Sequence, residues 1–92
     1  MTVNDSNQSI LARIRQAAAT FASGEIELDD IQAVLQSSLG LLENDGSGVS
    51  DLVRLAEADI EEIRFTQLVD EQRPAVTFRL DALLDALPGD RP

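Results

Sequence analysis

The side chains best placed to do chemistry lie in ENDGSGVSDLVR, residues 43 to 54, where acidic and small polar residues fall on alternate positions. A twelve-residue calcium loop takes oxygen ligands from positions 1, 3, 5, 7 and 9, turns on a glycine at 6, and closes with a bidentate glutamate at 12. Glu43, Asp45, Ser47, Gly48 and Asp51 fall on positions 1, 3, 5, 6 and 9, but Ser50 stands at 8 and Arg54 at 12. A guanidinium in place of two carboxylate oxygens repels a divalent ion, so no metal is expected here. The stretch reads as a connector, with Ser47 or Ser50 capping the helix that follows.

The rest of the inventory points away from catalysis. The chain has no His, Cys, Lys, Tyr or Trp. That removes histidine-based triads, Schiff-base chemistry, disulfides and zinc sites of the usual ligand types. Carboxylate-bridged metal sites on helices ordinarily recruit histidine as well. Glu57, Asp59, Glu61 and Glu62 are therefore read as a solvated face, and neither enzymatic activity nor a cofactor is expected.

The formal net charge is -10, and it is unevenly distributed. From residue 25 to residue 62, eleven acids stand against Arg54 alone, while both flanks are close to neutral. Direct contact with DNA, RNA or an anionic membrane is not expected, because phosphate neutralisation needs a basic face. A basic protein would instead be attracted and steered. MTVNDSNQSI lacks the pattern of a signal peptide, and no apolar run approaches a membrane span, so a cytoplasmic location is the expectation. Seven arginines and no lysine, with abundant Ala and Leu, are typical of a GC-rich bacterial genome.

Ninety-two residues make one domain with a modest aliphatic core. Helical spacing places Ile10, Leu11, Ile14, Ala17, Ala18 and Phe21 on one face of a first helix, capped near Ser9 and stopped by Gly24. A second helix spans about 28 to 43, with Leu28, Ile31, Val34, Leu35, Leu39 and Leu42 inward. Ile26 and Ile31 staple its start around Glu27, and Gly40 suggests a close helix crossing. A third runs from about 49 to 69 on Val49, Leu52, Val53, Ala56, Ile60 and Ile63. A fourth opens with Pro74 at its first position and buries Val76, Leu80, Leu83, Leu84 and Leu87. The expected fold is all-α, a small antiparallel bundle of four helices over residues 1–92, with 1–8 and 89–92 frayed. The alternative is three helices, the last one kinked.

Two surfaces are candidates for partner binding. One is the acidic block, represented by Glu57, Glu61 and Glu62. The other is the off-stripe apolar set Phe65, Val69 and Phe78, which holds two of the three aromatic residues. The favoured expectation for these rings is burial, packed on each other or under the first helix. In size and charge the chain is similar to small acidic immunity proteins, a likeness of bulk properties that no motif carries. Together these features suggest a non-enzymatic protein-binding module, an acidic inhibitor such as an immunity protein or antitoxin with a basic partner enzyme. The alternative is a self-associating structural or regulatory module, with the apolar set in a homodimer seam.

Overall fold

The computed structural model describes residues 3–88. Four helices follow in order: α1 (Asp5–Ala22), α2 (Leu28–Leu41), α3 (Val49–Thr66) and α4 (Val69–Ala86). Each packs on its neighbours around a ring, α1 on α2, α2 on α3, α3 on α4 and α4 back on α1. Side-chain bonds fix the directions. The loop after α2 touches the start of α1, and the start of α4 touches the end of α1. Gln32 and Gln36 of α2 meet Glu61 and Glu57 of α3 in reverse order. The bundle therefore runs up, down, up, down.

The core is the set of helical stripes closed on one another. Ile10, Leu11, Ile14, Ala18 and Phe21 of α1 meet Ile31 and Leu35 of α2, then Val49, Val53, Ala56 and Ile60 of α3, and Val76, Leu80, Leu83 and Leu87 at α4. Ala17, Ile26, Leu28, Val34, Leu39, Leu42, Leu52, Ile63 and Leu84 pack around it half-buried. Burial of this apolar surface is the main favourable term in folding a domain of this size.

The helix ends show where local signals were read correctly. Gly24 has φ +89, and the chain leaves α1 with Glu25 N–H donating to Thr20 O and Gly24 N–H to Phe21 O. Those two bonds make a Schellman stop, which requires the left-handed conformation that glycine adopts at little cost. At the start of α2 the Asp30 carboxylate accepts from Glu27 N–H at 2.9 Å, with half-buried Ile26 and fully buried Ile31 on either side.

Several boundaries differ from the sequence reading. α1 begins at Asp5, not near Ser9, because Asn4 Oδ1 accepts from Asn7 N–H and Val3 is only 2% exposed. Residues 5–8, expected to fray, form the first turn of α1; residues 1, 2 and 89–92 lie outside those described. α2 stops at Leu41, and α3 is capped by Gly48, at φ +83, while Ser47 beside it reaches the Val49 N–H. α3 ends at Thr66, and a two-residue link, Gln67 and Leu68, turns directly into α4. Pro74 is the sixth residue of α4, so it costs one backbone bond in the second turn instead of opening the helix.

Gly40 marks no close crossing: a methyl group placed there meets open space. It sits on the exposed side of α2 with helical backbone. Gly40→Ala should therefore raise stability by about 0.5–1 kcal/mol, measured by urea unfolding. A loss on substitution would show that the glycine serves a contact or a conformation not seen here.

Candidate functional site

The acids of the 43–54 stretch hold the chain together. Asn7, fully buried, docks its amide on the backbone of Glu43, donating to Glu43 O and accepting from Glu43 N–H, both at 2.8 Å. Its second amide proton goes to Asp45 Oδ2 at 3.0 Å, which also accepts from Asn4 N–H at 2.9 Å. Asp45 Oδ1 accepts from the Ser47 N–H and hydroxyl. Asn4 Nδ2 donates to Glu43 Oε1, and Arg54 is paired with Asp51 at 2.9 Å. The loop is a clasp on the start of α1. Among the described residues, no three acids, histidines or cysteines converge as a metal site would require.

These donors have a consequence for acid stability. The Ser47 hydroxyl, the Asn4 backbone N–H, the Ser47 N–H and the Asn7 amide hold the Asp45 carboxyl well below the usual carboxylate range. A folded-state pKa below the unfolded value contributes stability that is complete above the unfolded pKa of about 4 and is lost as pH falls towards the folded one. Asp45→Asn should therefore flatten the decline of thermal midpoint below about pH 4. An acid limb identical to that of the parent would show that Asp45 is not an important source of that decline.

A second polar seam joins α2 to α3. Buried Gln32 donates to Glu61 Oε1 at 2.9 Å and accepts from Arg64, which is also paired with Asp29. One turn along, Gln36 donates to Glu57 Oε2 at 3.0 Å. Two of the three candidate partner-binding acids, Glu57 and Glu61, thus accept bonds from α2, while Glu61 and Glu62 both stay exposed and Glu57 is half-buried. Arg73 is likewise turned inward: it donates to Phe21 O and Ile26 O and lies 4.3 Å from the centre of the Phe21 ring. It thereby adds a second bond to Phe21 O, which already accepts from Gly24 N–H, and ties the start of α4 to the end of α1. Arg79 pairs with Asp59 at 2.7 Å across α3 and α4.

The candidate apolar residues are on the surface, which corrects the expectation that they would be buried. Phe65 is 75% exposed, Val69 84% and Phe78 78%. Leu68, the cap residue of α4, joins them at 68%. Phe65 lies five residues beyond buried Ile60, which rotates it to the outer side of α3. Val69 continues the buried stripe of α4, but past the end of the bundle, where Phe21, Leu28 and Arg73 line the adjoining hollow. Phe78 is nine residues further along α4, about half a turn around the axis. Phe65, Leu68 and Val69 thus stand exposed around the α3–α4 corner, Phe65 beside the hollow lined by Gln32 and Arg64 and Val69 beside that lined by Phe21 and Leu28, while Phe78 lies half a turn round α4 from Val69. Leu68 was not singled out from the sequence, since nothing in its neighbours marks the helix break.

No helix among the described residues is long and apolar enough to cross a membrane. Comparison with known proteins leaves the reading to these surfaces: no family model, no curated protein and no solved structure matches the chain.

Proposed function

We propose that this chain is a non-catalytic protein-binding module of the bacterial cytoplasm, an acidic inhibitor that neutralises a basic partner enzyme as an immunity protein or antitoxin does. The observation that carries this reading is the α3–α4 corner, where Phe65, Leu68 and Val69 stand exposed within five consecutive residues although the core beneath is complete. Clustered apolar side chains in a polar rim are characteristic of interaction sites, and aromatic residues are frequent anchors in them. The excess of acids supplies long-range attraction for a cationic partner.

The experiment is a search of the neighbouring genes and of proteins captured from the native cytoplasm for a basic enzyme, followed by titration of that enzyme with this protein. Activity should fall linearly to an end point at one equivalent, with a complex of that stoichiometry on gel filtration. Full activity at excess protein, with no complex, would overturn the inhibitor reading. Self-association is the second reading, favoured by the exposure of six large apolar side chains among the described residues: Leu41, Leu55, Phe65, Leu68, Val69 and Phe78. Sedimentation equilibrium separates the two, since a tight dimer supports that reading and a monomer supports the first.

A further inference from the structure

We infer that the α3–α4 corner receives a cationic amphipathic segment of the partner, a stretch in which Lys or Arg flanks an aliphatic or aromatic side chain. This rests on the protein-binding reading above and specifies which surface does the binding and what it binds.

Charge complementarity selects that occupant. Phe65, Leu68 and Val69 are framed in sequence by Glu61 and Glu62 on one side and Asp70 and Glu71 on the other. The two arginines nearest the corner, Arg64 and Arg73, keep 39% and 35% of their side chains exposed, but both are already engaged and the four acids outnumber them. Arg64 is held by Asp29 and Gln32, and Arg73 by Glu27, two backbone carbonyls and the Phe21 ring. A cationic side chain entering beside the apolar residues would thus meet exposed carboxylates, while its apolar neighbour covers Phe65 or Val69. A second copy of the chain fits less well. A two-fold dimer through this corner would set the same acids against each other, a juxtaposition that costs energy across an interface.

The test uses the full chain and synthetic peptides. The probe is a twelve-residue peptide alternating Lys or Arg with Leu and Trp; oligolysine of equal length is the control without apolar groups. In a titration followed by amide chemical shifts, the probe should perturb residues 61–72 and the facing residues 27–29, and bind more tightly than oligolysine. The double variant Phe65→Ser, Val69→Ser should bind at least about tenfold more weakly, as expected for loss of an anchor. Phe78→Ser, on the other face, should bind like the parent. Thermal melts verify that each variant is folded; because all three side chains are exposed, their midpoints should stay near that of the parent.

Equal binding of probe and oligolysine would overturn the inference, as would shifts spread over the whole acidic surface or centred on Phe78. A dimer of the free protein that Phe65→Ser dissociates would show that the occupant is a second copy. The inference also fails separately from the inhibitor reading: a double variant that still neutralises the partner enzyme removes the corner and leaves the function standing.

Discussion

Replacing Ile31 with alanine should lower the free energy of unfolding by about 2–5 kcal/mol, the range for deleting a buried aliphatic side chain. Ile31 is fully buried and sits in the first turn of α2, where it joins the α1 and α3 stripes and pairs with Ile26 across the cap. Truncation therefore removes core packing and loosens the entry to the helix together. Urea unfolding at neutral pH measures the loss. A decrease below about 0.5 kcal/mol is the size expected of an exposed site, and would mean that α2 is misplaced in this fold.

The second large loss is expected at Asn7, at about 2–3 kcal/mol for Asn7→Ala. The side chain is fully buried and makes three bonds, two with the Glu43 backbone and one with Asp45. Removing it strips partners from a peptide N–H and C=O at once, and an unmade buried bond costs more than a made one contributes. Asn7→Leu should fail to recover the loss, because it restores volume without the donor and acceptor. Recovery by leucine would show that Asn7 serves as filling and that the clasp is incidental.

What could be read in advance follows a physical division. Helical periodicity gave the inward stripes of all four helices, and Gly24 and the Ile26–Ile31 staple acted as local signals that need no tertiary partner. Asn7 was illegible because its bonds go to residues 36 and 38 positions away, and a polar residue in a first turn looks solvated in sequence. The same holds for Gln32 with Arg64 and for Arg73 with Phe21, pairings made by the assembled bundle. Pro74 was misleading. Its usual place at the start of a helix drew the boundary away from Gln67, where an extended backbone breaks the helix without Gly or Pro. Phe65 and Phe78 were correctly placed off the buried stripes, whereas Val69, read as the outer side of the third helix, instead opens α4 on the line of its stripe. Their exposure depends on the bundle closing without them, which no single helix can reveal.

The most direct test of the proposed function is the association rate constant with the basic enzyme identified as its partner, measured by stopped flow as ionic strength rises. Acidic steering should make that rate fall by at least about tenfold between low salt and about 0.5 M, where charges beyond a few ångströms are screened. Dissociation, governed by the contacts at the α3–α4 corner, should change little over the same range. An association rate indifferent to salt would contradict the account.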